Sequence, residues 1–112
     1  MKFIFIHQNF PAQYVHLAPK LVSLGHHCIA IGSRHIKESK LITTIKYSIN
    51  LPEERGYKNL HPWILDINSK CLRAEAVAKK LLKIKKQGFI PDLIIGHSGW
   101  GELIAVKDIF PN

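Results

Sequence analysis

Long apolar runs are missing from this 112-residue chain. The longest span about five residues, against the roughly 20 that a helix needs to cross a bilayer, so no transmembrane helix is expected. The opening MKFIFIHQNF has one lysine and a short apolar run, but no long hydrophobic region and no small-residue cleavage site. It reads as a first strand and not as a secretory signal. Cysteine is scarce: Cys28 and Cys71 stand far apart, with no CxxC spacing. Free thiols in a reducing cytoplasm explain them, and a disulfide scaffold or a zinc site does not. No metal site is expected at His26-His27 either, which lack acidic or thiol partners at ligand spacing. Acidic residues are few, 8 against 16 Lys and Arg, for a net charge of +8. There is no GxxxxGK[ST] phosphate loop and no GxGxxG after the first strand, where the turn HQNFPAQ holds no glycine. A phosphate-cradling loop and the usual dinucleotide fingerprint are thereby excluded. Internal repeats and low-complexity tracts are absent too.

What is present is ordinary for a globular domain: 46% hydrophobic and 21% charged residues. The length suits one domain, which can bury about two-thirds of its unfolded surface. The positive charge is local. Seven of the 16 basic residues lie between Lys70 and Lys86, against one acid, Glu75. Such a stretch is either a solvated helix face or a surface for nucleic acid, an anionic membrane or a phosphorylated ligand. Nucleic acid ranks last, since no aromatics interleave the basic residues and no recognition motif is present.

Lys2 to His7 and His27 to Ile31 are short apolar runs of the kind buried on both faces of a sheet. Thr43 to Ile49 alternates, with Ile45, Tyr47 and Ile49 on one face and Thr44, Lys46 and Ser48 on the other, as in a strand near an edge. Tyr14 to Leu24 has helical spacing, with Pro19 expected to kink it or force a short first turn, and Gly25 as its stop. Asn50 to Trp63 reads as an irregular connection, of a length that is often functional. Asp66 to Gln87 is expected to be a helix, with Ser69 as a possible internal cap. Its apolar stripe is Cys71, Ala74, Val77, Ala78, Leu81 and Leu82, and Arg73, Lys79, Lys80, Lys83 and Lys86 lie opposite. Asp92 to Ile95 is a fourth strand and Glu102 to Ile109 a last helix. The order β-α-β-β-α-β-α predicts an α/β, Rossmann-like three-layer fold with a mostly parallel sheet in the order 3-2-1-4. The site of such a fold lies at the carboxyl ends of the strands.

Two loops leave such ends. In the first, His7, Gln8 and Asn9 suit hydrogen bonds to a sugar or headgroup, although Asn9 also suits a simple turn. In the second, Gly96, Gly99 and Gly101 surround His97 and Ser98, so the backbone can approach a ligand closely. His97 is either a general base or a hydrogen-bond donor to a phosphate. Glu102 orients His97, binds a hydroxyl, or only favours the helix dipole. Ser98 lies in G-H-S-G-W, without the G-x-S-x-G spacing of a nucleophile elbow. His61-Pro62-Trp63 offers a platform for a sugar ring, or Trp63 is core.

The strings FIHQNFPAQYVHLAPKLVSLGH, HPW and GFIPDLIIGHSGWGELIAVKDIFPN resemble the amino-terminal domain of family 4 glycosyltransferases of the GT-B type. The likeness is greatest to a bacterial subgroup with an I-H-Q-N-F-P-x-Q turn and a later P-D-x-x-x-x-H-x-G-W-G-E. It covers nearly the whole chain. It implies sugar transfer from a nucleotide-sugar donor, with no permanently bound cofactor and no required metal, in cell-surface polysaccharide or glycolipid synthesis. It implies that this domain holds a sugar or lipid-linked acceptor and faces a carboxy-terminal donor domain with a paired-glutamate motif. His97 falls where the family places a histidine that contacts the donor or assists catalysis. Gln13, Ser98 and Trp100 join His7, Gln8, Asn9, Gly96, Gly99 and Glu102 as expected substrate-side residues. One departure concerns the family's Gly-Gly turn, which here reads Phe10-Pro11-Ala12-Gln13. The resemblance further implies a chain incomplete relative to a full GT-B amino-terminal domain, without its donor domain, and inactive alone. The expected location is cytoplasmic, peripheral to the inner face of the plasma membrane. The alternative reading is a non-enzymatic assembly module that sets its basic helix on an anionic membrane. A homodimer through the fourth strand or its adjacent helix is also expected, because unpaired edges template pairing.

Overall fold

The computed structural model describes residues 1–33, 35–50 and 59–112. Four strands, β1 (Lys2–Ile6), β2 (His27–Gly32), β3 (Thr43–Lys46) and β4 (Leu93–Gly96), form one parallel sheet in the order β3-β2-β1-β4. The expected order thus holds. Register between β1 and β4 is pinned at their start. The Lys2 amide donates to the Asp92 carboxylate at 2.6 Å, and the Asp92 amide donates to the Lys2 carbonyl at 2.8 Å.

Alternation along the strands builds two cores. Ile4, Ile6, Ile29 and Ile31 meet Val77, Leu81 and Ile84 of α2 (Pro62–Lys86), and Ile109 of α3 (Val106–Ile109). Phe3, Phe5, Cys28 and Ala30 meet Phe10, Tyr14 and Ile42, and Ala18 of α1 (Leu17–Ser23). The sheet is therefore covered on both faces, which is the three-layer architecture. Each fully buried aliphatic side chain, such as Leu81, contributes about 2 kcal/mol.

Local chemistry sets the ends of the helices. Pro19 lies in the first turn of α1, where its missing N–H leaves no bond unmade. A separate 3-10 turn, Ala12–Tyr14, precedes it, and the helix expected from Tyr14 begins only at Leu17. Helix α1 stops at Gly25 and α2 at Gly88, both with left-handed backbone. The Phe89 amide reaches back to the Ile84 carbonyl and the Gly88 amide to that of Lys85, a Schellman closure.

Helix α2 departs most from expectation. It begins at Pro62, one turn before Asp66. His61 is the cap: its Nδ1 accepts from the Trp63 amide at 3.1 Å. Ser69 is not a cap, and its hydroxyl donates to the Asp66 carbonyl. Cys71 and Leu82 are exposed, whereas Ile84 is buried, because the contact stripe lies slightly to one side of the expected one. Of the expected irregular stretch Asn50 to Trp63, residues 51–58 lie outside the described residues. Strand β3 ends at Lys46, although Tyr47 is still buried and its amide still bonds the Gly32 carbonyl. The last helix is only Val106–Ile109, because turns from Gly101 to Ala105 take the place of its expected first part.

Candidate functional site

The loops after β1 and β4 come together at the carboxyl ends of the central strands. The rings of His7 and His97 lie edge to face, 5.9 Å between centroids. Each ring is fixed by the same local device. The Asn9 amide donates to His7 Nδ1 at 3.0 Å, and the Gly99 amide donates to His97 Nδ1 at 3.0 Å. An Nδ1 that accepts carries no proton, so the neutral ring holds its hydrogen on Nε2. In that tautomer His97 Nε2 is a hydrogen-bond donor. His97 caps the 3-10 turn Ser98–Trp100, and its ring lies 6.2 Å from that of Trp100. Gly99 makes the contact possible: a Cβ there would sit 2.9 Å from His97 Cε1. His7 is buried, and burial first, then the neighbouring His97, holds its pKa below the ordinary value.

Glu102 is the deepest polar group of the site, 1% exposed. The Tyr47 hydroxyl donates to its Oε1 in a short hydrogen bond. Its Oε2 has no hydrogen-bond partner among the described residues. Burial pushes the Glu102 carboxyl up, against opposing pulls from Tyr47, Arg73, His97 and the Gln8 amide. A neutral acid tolerates the orphaned oxygen better than a carboxylate would. Tyr47 is pushed up as well, by burial and then by Glu102. Glu102 is thus a buried strut behind the loop, and not a helix-dipole residue in the first turn of a helix.

Sequence reasoning missed two members of this group. Tyr47 read as a core residue of a strand, and Arg73 as part of the solvated helix face. Arg73 is half-buried, acts on Tyr47 and Glu102, and donates to the Ser69 hydroxyl at 3.3 Å. One signal was present: Arg73 stands one helical turn before Val77, close to the core row.

The other expected residues divide. The Gln8 carbonyl accepts from the Ser33 amide at 2.9 Å and from its hydroxyl at 2.7 Å. Gly96 is wedged between Leu103 and the Ile6 carbonyl, a packing role. Asn9, Ser98 and Trp100 are exposed at the site, and Gln13 is exposed on the 3-10 turn that follows β1. Trp63 is not core; it is 76% exposed on the first turn of α2. Among the described residues, no group of three His, Cys, Asp or Glu side chains is placed to hold a metal ion.

A cavity of about 510 Å³ is lined, among the described residues, by Gln8, Ser33, His35, Tyr47, Ser48, Ile49, Asn50 and Arg73. A larger groove of about 650 Å³ runs along α2, past Lys79, Lys80 and Lys83.

A parallel α/β sheet with helices on both faces defines a Rossmann-like domain, and the histidine-bearing loop lies at the edge where sheets of this kind generally hold ligands. In a comparison with protein families, residues 24–112 match the glycosyl transferase family 4 group, and the chain belongs to that family. Comparison with curated proteins and with solved structures finds no match.

Proposed function

We propose that this chain forms the acceptor side of a nucleotide-sugar-dependent glycosyltransferase of two facing domains. The family supports glycosyl transfer in general. The observation that carries the finer reading is the bond from the Gly99 amide to His97 Nδ1. With Nδ1 occupied, His97 works through Nε2–H. Of its two roles, donation to an oxygen of the donor sugar or phosphate fits, and proton abstraction does not. Charge that builds on the leaving phosphate is where such a donor acts best. His7 stands edge to face against the ring, and burial, then His97, holds its own pKa down. The acceptor rests on the β1 and β3 side, on Gln8 and its neighbours, and the nucleotide is held by a second domain.

In this reading the 112-residue chain alone transfers no sugar from any nucleotide sugar. Measurable turnover by the purified chain overturns the two-domain reading. In the complete natural protein that carries it, His97→Ala lowers kcat about 100-fold, the typical effect of removing a hydrogen-bond donor to developing charge. The rate of the unmodified protein shows no loss at acid pH that His97→Ala abolishes. A kcat unchanged in His97→Ala returns His97 to a structural role, and an acid limb removed by the substitution makes it a base.

A further inference from the structure

We infer that the cavity lined by Gln8, Ser33, Tyr47, Ser48, Asn50 and Arg73 binds a sugar unit that carries one anionic group, with that group on Arg73. This rests on the acceptor-side reading above and specifies the acceptor's chemistry.

Four separate parts of the fold converge on the cavity: the loops leaving β1 and β2, the segment after β3, and α2. At about 510 Å³ it is in the range of small-molecule sites, roughly 300–1,000 Å³. Its lining is mostly hydroxyls and amides, the groups that pair with sugar hydroxyls in both directions. Ile49 adds an apolar contact.

The electrostatics select the charge of the ligand. Among the described residues no acidic side chain lines the cavity, and Arg73 does. Among the described residues Arg73 forms no ion pair; its one hydrogen bond is the 3.3 Å contact to Ser69. A planar guanidinium matches a carboxylate or a phosphate with two parallel bonds. Glu102 is not among the lining residues; its carboxylate is engaged by the Tyr47 hydroxyl, and burial pushes its carboxyl up, which weakens its repulsion of an anion. Lys79, Lys80 and Lys83 in the adjoining groove, and the net charge of +8, deepen the positive field. A neutral sugar offers this half-buried guanidinium no counter-charge, whereas a uronic acid or a sugar phosphate does.

The test is equilibrium binding to the ¹⁵N-labelled chain, followed by amide and arginine side-chain resonances. The probes are glucuronic acid, glucose 1-phosphate and glucose, at neutral pH and constant ionic strength. At least one anionic probe shifts Arg73 Nε–H and the amides of Ser33, Ser48 and Asn50, and binds about tenfold or more tightly than glucose. The stronger of the two anionic probes tells carboxylate from phosphate. Arg73→Gln removes the preference, Arg73→Lys keeps part of it, and Lys79→Ala leaves the Arg73 shifts in place. Glucose binding as tightly as both anions overturns the inference. So do shifts confined to Lys79, Lys80 and Lys83. If Arg73→Gln does not fold, the comparison of probes on the unmodified chain decides alone. Saturable binding at Arg73, with no sugar transfer by the complete protein, sinks the transferase reading and leaves this one standing. Transfer to a neutral acceptor that Arg73→Gln does not affect sinks this one alone.

Discussion

Glu102 and His7 sit a few residues from each end of the site, and their buried side chains pull stability in opposite directions with pH. The Glu102 carboxyl titrates higher in the folded chain than in the unfolded one. The folded state therefore holds a proton that the unfolded state has lost. That contribution is complete below the unfolded value of 4.5 and fades as pH rises through the folded one. For His7 the folded value is depressed below 6.5, so its contribution is present above 6.5 and is lost as pH falls. Glu102→Gln keeps the shape and an acceptor for Tyr47 while removing the ionisation. The variant is expected to gain stability over the parent as pH climbs from 4.5 toward neutral, with little difference below. Urea unfolding of both proteins at several pH values checks this, and a constant difference across the window refutes it. At this scale the sequence exposed the histidines, the glycines and Glu102, since they cluster in two short strings. It hid Tyr47 and Arg73, because their roles depend on three segments meeting at Glu102, and no local period records that.

Along the elements, the two glycine stops separate backbone strain from crowding. Gly88 has φ +88° with open space around it, and Gly101 has φ +85° with a would-be Cβ 2.5 Å from the Lys70 carbonyl. Gly88→Ala should lower stability by about 1 kcal/mol, from the left-handed backbone alone. Gly101→Ala should lower it by about 3 kcal/mol or more, since the β4 loop must also part from α2. Equal losses in thermal unfolding would mean that the loop yields freely. The basic face of α2 has a consequence of its own. Lys79 pairs with Glu75 and Lys85 donates to the Ile109 carbonyl, but Lys80, Lys83 and Lys86 form no ion pair among the described residues. They are expected to favour anionic over neutral vesicles by up to about 1 kcal/mol per lysine. Sedimentation with no dependence on anionic lipid or salt would remove membrane contact from the reading. The core period of α2 was legible, but its start was not. A histidine cap is rarer than Ser, Thr, Asp or Asn, and the HPW string looked like a loop.

For the molecule as a whole, strand order and layer count were legible because each strand is a short run of β-branched and aromatic residues between breakers. The last helix was overread: its apolar residues kept helical spacing, but Gly101 turns the backbone left-handed beside it. No helix among the described residues is long and apolar enough to cross a membrane. The placement of α2 has an optical consequence. Lys70 is level with the loop leaving β4, so the helix from Pro62 to Ser69 projects past the carboxyl ends of the strands. The chain has 2 tryptophans. Trp63 rides on this projection at 76% exposure, and Trp100, at 38%, lies on the site loop. Both indoles therefore emit from the edge at the carboxyl ends of the strands and neither from the cores. Emission is expected to shift little on unfolding in urea, while the aromatic circular dichroism of Phe5, Phe10 and Tyr14 collapses. Quenching by acrylamide should be strong in the folded chain. It should weaken when anything settles over the carboxyl ends of the strands, so the natural fluorescence watches the cleft and is nearly blind to the fold beneath it.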